Sequence, residues 1–118
     1  MSAITLTFAW PADTSANARL HWANRARMVK ANRAEGFYVA RQFTAEGLPP
    51  GKYTATFTFY PPTRRRYDDD NLMARVKGHR DGFCQALGID DNCLHAVLAF
   101  GAVEKPGRVV VTIEAMTA

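Results

Sequence analysis

The chain has little cysteine, two residues in 118. Two thiols make no disulfide framework, and the reading expects a reducing, cytoplasmic setting. Long apolar runs are also missing. The segment from Asn92 to Val103 is free of Asp, Glu, Lys and Arg. It is still well short of the roughly 20 apolar residues that a spanning helix needs, so no membrane span is expected. No basic residue precedes the apolar stretch Ala3 to Trp10, and Thr alternates there with Ile, Leu and Phe. That pattern predicts a strand and not a signal peptide. A phosphate-binding glycine loop is lacking, because Gly51-Lys52 has neither the earlier glycine nor the following Ser or Thr. His79, Cys84, Cys93 and His95 fit none of the common zinc spacings and read as ordinary thiols and surface histidines. No Ser/His/Asp or Cys/His nucleophile set, internal repeat or low-complexity tract is visible.

What is present suits one globular domain spanning 1–118. Hydrophobic residues make up 47% and charged residues 22%. A chain this long buries roughly two-thirds of its unfolded surface, enough for a core without cross-links. Lys and Arg number 15 against 11 Asp and Glu, a net charge of +4. The pI near 9.4 passes the rough threshold of 9 that flags nucleic-acid binders. The acids are more informative than the sum. Of seven aspartates, six lie between positions 68 and 91 (Asp68, Asp69, Asp70, Asp81, Asp90 and Asp91). A basic chain has gathered nearly all its aspartate into one segment.

The pattern predicts the order strand, helix, strand, helix, strand, strand. Ala3–Ala9 alternates and reads as a strand. A basic helical stretch runs from about Arg19 to Phe43, with Gly36 as a candidate break. Tyr53 to Tyr60 is the clearest strand, with aromatic and apolar residues on one face and threonine on the other. After Pro61 and Pro62 comes a basic loop, Arg64-Arg65-Arg66. A helix is predicted from about Asp69 to Leu87, stopped by Gly88. Leu94–Glu104 and Arg108–Ala115 read as strands joined in a hairpin across Lys105-Pro106-Gly107. The fold class is α/β or α+β, a small mixed sheet of about four strands with two main helices.

On the predicted helix Leu72, Val76, Phe83 and Leu87 share the core stripe, with Met73 at its margin. Asp70, Lys77 and Asp81 share another edge. Asp68 sits just ahead of the helix; Asp90 and Asp91 follow its far end. They reach the cluster only if the next strand runs beside the one before Asp68. Carboxylates that share a site repel one another, and a divalent ion removes that cost. Oxygen-only ligation suits Mg²⁺, which activates water for attack on a phosphodiester, with a lysine to stabilise the charge that develops. The plainer reading stays open beside it: aspartates cap helix starts, Asp90 and Asp91 form a polar turn, and the arginines balance charge. Trp10, Trp22, Phe37 and Tyr38 are candidates for base stacking, although such aromatics are usually core.

The segment Arg65-Arg66-Tyr67-Asp68-Asp69-Asp70-Asn71-Leu72, then Lys77 and Asp81, then Ala86-Leu87-Gly88-Ile89-Asp90-Asp91, resembles the signature of the RusA family of Holliday-junction resolvases. Asn17-Ala18-Arg19-Leu20-His21-Trp22 and Glu104-Lys105-Pro106 look similar as well. The resemblance covers most of the chain. It implies a homodimeric, Mg²⁺-dependent endonuclease of a bacterial or phage-infected cell that cuts four-way DNA junctions, with Mn²⁺ as a substitute ion. It implies Asp68, Asp70 and Asp91 as metal-holding catalytic residues and Lys77 as the active-site lysine. One departure stands out: Lys77 lies about one helical turn further from Asn71 than the family pattern has it. It keeps a four-residue spacing to Asp81, and Arg75 is the alternative basic residue.

The leading expectation is therefore an endonuclease for branched DNA in recombination and repair. Asp81, Asp90 and Asn71 support the site. Arg19, Arg64, Arg65, Arg66, Arg75 and Lys105 are the candidate DNA contacts. Two alternatives accompany it: a non-catalytic DNA-binding phage regulator with the same fold, and a related nuclease for other branched nucleic acids.

Overall fold

The computed structural model describes residues 3–13 and 21–116. The candidate contact Arg19 and the segment Asn17 to Leu20 lie outside the described residues. Among the described residues, four strands and three α-helices follow one another as β1 (Ile4–Ala9), α1 (Trp22–Arg41), β2 (Tyr53–Tyr60), α2 (Asp69–Arg75), α3 (Lys77–Leu87), β3 (Leu94–Phe100) and β4 (Arg108–Ala115). A 3-10 turn, Asp91–Cys93, precedes β3. The fold is a mixed α+β sheet with its helices as crossovers.

The sheet order is β1-β4-β2-β3. β4 is antiparallel to both β1 and β2, while β2 and β3 are parallel. The predicted hairpin is thus corrected. β3 ends at Phe100, and the chain crosses past β2 before β4 inserts between β1 and β2. Adjacency in sequence suggested pairing, but the apolar alternation of β4 (Val109, Val111 and Ile113, all buried) demands a central position. A central strand is covered on both edges, and β4 earns that place with the most regular buried face after β2.

In β2, Tyr53, Ala55, Phe57 and Phe59 are buried and Thr54, Thr56 and Thr58 are half-buried. The period of two sends alternate side chains to opposite faces. Across the sheet, Leu6, Val111, Phe57 and Leu98 share one register row. This face packs against Leu72, Val76, Phe83 and Leu87, the predicted stripe, all buried. Phe57 meets Phe83 with ring centroids 6.0 Å apart.

The predicted single helix over 69–87 is two. Val76 leaves helical geometry (φ −100°, ψ 5°), and its N–H turns to the carbonyls of Ala74 and Met73. α3 ends as predicted at Gly88, in the left-handed region at φ 68°. α1, by contrast, runs unbroken through Gly36. That glycine serves close approach: a Cβ on Gly36 would lie 2.2 Å from the His79 carbonyl oxygen, and one on Gly82 would lie 2.0 Å from that of Arg33. The two helices touch backbone to backbone.

His79 is not a surface histidine. It is 2% exposed, lies against the Phe8 ring at 4.8 Å, and its Nε2 is 2.9 Å from Glu35 Oε1. Burial pulls its pKa below the ordinary 6.5, although the Glu35 carboxylate pulls the other way. The neutral ring donates from Nε2 and leaves Nδ1 unprotonated and without a partner among the described residues. Cys84 is buried as well, and burial pushes its thiol up to about 12. Both cysteines are free. Among the described residues, no helix is long and apolar enough to cross a membrane.

Two predictions follow from this packing. Gly82→Ala forces a methyl into the Arg33 carbonyl and lowers unfolding stability by about 2–3 kcal/mol or prevents folding, as read by urea denaturation. For His79, the unfolded chain takes up a proton as pH falls through 6.5, while the folded chain resists until its lower pKa is reached. Stability is therefore full above about 6.5, falls as pH drops from there toward the folded chain's lower pKa, and changes no further below it. Urea melts at pH about 7.5 and about 5.5 should show the loss, and His79→Gln should reduce it.

Candidate functional site

The parallel strands β1 and β2 both end at one edge of the sheet, where Ala9, Arg108 and Tyr60 are in register. In mixed sheets with crossover helices, the carboxyl ends of parallel strands are the usual place for a ligand crevice. Here that edge receives the acids. Asp68 caps α2, its Oδ1 accepting the Asp70 N–H at 3.0 Å. Asp69 and Asp70 fill the first turn. All three are exposed, as the positive end of the helix favours.

The approach to α2 is held by aromatics. Tyr67 is half-buried, packs on Trp10 at 5.3 Å and has its hydroxyl 3.0 Å from that of Thr63. Arg65 lies over the Tyr67 ring at 4.9 Å. Trp10 in turn meets Phe59 edge-on at 6.0 Å. The strand end, the basic loop and the acidic turn are therefore one packed unit.

Beneath the acids lies a polar tie that sequence reasoning missed. Arg75 is 7% exposed. Its Nε donates to Asn71 Oδ1 at 3.0 Å and its Nη1 to the Pro11 carbonyl at 3.2 Å. Asn71 passes its amide to Asp13 at 3.2 and 3.4 Å, and Arg75 Nη2 is 3.9 Å from the same carboxylate. This corrects Arg75 as a candidate DNA contact: it is spent inside the fold, joining the exit of β1 to α2. Asn71 holds the first turn of α2 to the segment that follows β1. Asp13 enters as a fourth acid at this edge. Its distance in sequence from the other six hid it, and only the parallel placement of β1 beside the β4–β2 pair reveals it.

Cations share this edge of the sheet with the acids. Arg64, Arg65 and Arg66 are exposed in the loop after β2, and Lys105 is exposed in the loop before β4. Arg108 stacks over Tyr60 at 4.3 Å and pairs with Glu104 at 2.9 Å. The hydrogen bond to Glu104 raises its pKa.

Asp90 and Asp91 belong elsewhere. β3 does run beside β2, but in parallel, with Leu94 opposite Tyr53. Asp91, just before β3, therefore sits at the amino end of β2, while Asp68 follows its carboxyl end. The eight residues of β2 separate these edges by roughly 25 Å. Asp90 caps the 3-10 turn through the Asn92 N–H at 3.0 Å, and Asp91 pairs with Arg80 at 2.8 Å. Lys77 opens α3 beyond the Val76 break, exposed, 3.7 Å from Asp81. Within one chain the structure joins Asp68, Asp70 and Asn71, and separately Lys77 and Asp81; it does not bring Asp91 to the first group. Among the described residues, no three His, Cys, Asp or Glu side chains converge to hold a metal ion. The donor set at the α2 edge still suits a hard, partly hydrated cation, since it is all oxygen and open to water.

No family model matches the chain. An uncharacterized protein of Xylella fastidiosa is 42% identical over 118 residues, which is 96% of this chain and 77% of that protein. The chain belongs to that protein's family. The likeness spans both edges of the sheet and the helices between them.

The polar tie is testable without any ligand. Arg75→Ala removes the hydrogen bonds to the Pro11 carbonyl and Asn71 Oδ1 and should cost about 2 kcal/mol or more. Arg65→Ala, in the exposed loop, should stay within about 0.5 kcal/mol. Parallel urea titrations compare the two.

Proposed function

We propose that this protein is a Mg²⁺-dependent endonuclease for branched DNA, a resolvase of RusA type that works as a homodimer. One observation carries the reading: three consecutive aspartates sit in the first turn and cap of a helix, at the carboxyl edge of the sheet, which arginine and lysine share. Caps and helix polarity account for one or two such acids, and a neutralising ion accounts for the set. Asp68 and Asp70 would hold Mg²⁺, with Mn²⁺ as substitute, and water would fill the remaining positions. The ion supplies charge neutralisation and a more acidic water. Arg64, Arg65, Arg66 and Lys105 would hold phosphates on either side, in salt-sensitive contacts that carry no sequence information.

Asp91 and Lys77 fit this reading only across a dimer. A two-fold axis sets the amino edge of one copy beside the carboxyl edge of the other, and a four-way junction offers two equivalent strands to two equivalent sites. Asp91 of a second copy then completes the acids around the ion. Asp81 orients Lys77, and Asp90 shapes the turn that presents Asp91.

A rival reading is favoured by the Asp91–Arg80 pair at 2.8 Å, which gives Asp91 a structural partner. It is a non-cleaving DNA-binding phage regulator with the same cations at that edge.

A synthetic four-way junction, with Mg²⁺ and with chelator, separates the two. Asp70→Asn should bind the junction as well as the parent or better and lower nicking by about a hundredfold or more. Equal nicking by the variant removes Asp70 from the site, and binding by the parent without nicking favours the regulator. Mixing Asp70→Asn with Asp91→Asn tests the dimer: heterodimers with one intact site should restore nicking to about a quarter of the parent level. No recovery means that Asp91 does not act across the two-fold.

A further inference from the structure

Two of the four candidate stacking aromatics are not core. Trp10 and Phe37 pack inward, but Trp22 is 73% exposed and Tyr38 is 67% exposed. Isolated apolar residues on a surface need no explanation. These two stand at the ends of one feature. A groove of about 470 Å³ between α1 and α3 includes Trp22, Val29, Lys30 and Arg33 in its walls. A second, of about 310 Å³, shares Lys30 and Arg33 with it and ends at Tyr38. Joined at those two cations, they make a trough that winds around α1, with an aromatic ring at each end, about 160° apart around the helix, and cations between. Sixteen positions of helix separate the rings, about 24 Å.

The charge of the trough selects its occupant. α1 carries Arg25, Arg27, Lys30, Arg33 and Arg41 against the single acid Glu35. That surplus equals the net charge of the entire chain, +4. Glu35 is turned toward the buried His79. The carboxylate in the trough wall, Asp81, is engaged by Lys77 at 3.7 Å. Lys30 enters no ion pair or hydrogen bond among the described residues. A second copy of the chain docking here would bring the same cations face to face, an arrangement that like charges oppose. A polyanion with flat faces fits every component: phosphates for Lys30 and Arg33, exposed bases for Trp22 and Tyr38.

We propose that the α1–α3 trough binds a single-stranded segment of nucleic acid, with unpaired bases stacked on Trp22 and Tyr38 and the backbone tracked by Lys30 and Arg33. Such platforms combine a basic groove with aromatic faces and tolerate any sequence. The proposal deepens the reading of the protein as a nuclease for branched DNA, whose substrates expose unpaired nucleotides where arms meet. It uses none of the acids at the sheet edge.

The test uses the full chain in chelator, so that cleavage plays no part. A fluorescein-labelled oligothymidylate of about 15 nucleotides is titrated by anisotropy against the parent, Asp70→Asn and Trp22→Ala/Tyr38→Ala. Both substituted rings are exposed, so circular dichroism should show an unchanged fold. Asp70→Asn should bind at least as well as the parent, and the double variant about tenfold or more weaker than the parent. Equal binding by the double variant overturns the trough, whatever the nicking assay shows. Nicking that survives Asp70→Asn overturns the acidic site and leaves the trough standing. Sedimentation equilibrium covers the remaining occupant: a parent dimer that the double variant dissociates makes this face a contact between copies and overturns the proposal.

Discussion

Everything in this fold is arranged around one close contact, the backbone-to-backbone crossing of α1 on α3. Gly36 and Gly82 permit it, because any side chain at either would collide with a carbonyl of the other helix. With the helices this near, α3 can press Phe83 and Leu87 into the sheet while α1 lies beside it with most of its surface outward. The outward surface then needs no apolar stripe and is filled with arginine and lysine. The inward one still accommodates His79, kept neutral by burial and oriented by Glu35. Packing has thus decided where charge can go.

The second constraint is the break at Val76. It divides the crossover into a short helix that belongs to the carboxyl edge of the sheet and a longer one that belongs to α1. The short helix is fastened by Arg75 to β1 and by Tyr67 to Trp10, so its acidic first turn is as fixed as a strand end. Lys77, on the other side of the break, is paired among the described residues with Asp81 alone. Acids and lysine are neighbours in sequence but ride on different bodies.

Much of this could be read from the residues. Tyr53–Tyr60 and Arg108–Ala115 were legible to the residue because strict alternation has only one reading. The core stripe Leu72, Val76, Phe83, Leu87 survived even the helix break, since a local kink does not change which side faces the sheet. Strand order was not legible. The turn residues Lys105-Pro106-Gly107 argue for a local reversal, and only the burial of β4 on its inner face, with partners on both edges, shows that it threads between β1 and β2. The candidate site was half legible for the same reason. Asp68, Asp70 and Asn71 are contiguous and stayed together, whereas Asp91 depends on strand direction and went to the other edge. Arg75 gave no sign of burial, as an arginine in a basic chain looks like surface until its partners Pro11 and Asn71 are seen. Trp22 and Tyr38, open in the sequence between stacking surface and core, stand in solvent.

The distribution of charge along α1 has a consequence for motion before contact. The other elements of the chain sum to zero net charge, so the molecule is a lopsided electric body with its positive pole on one helix. In the field of a long anion it experiences a torque as well as a pull. It therefore arrives oriented, leading with α1. Added salt shortens the reach of that field to within about 10 Å, and the protein then tumbles freely until collision.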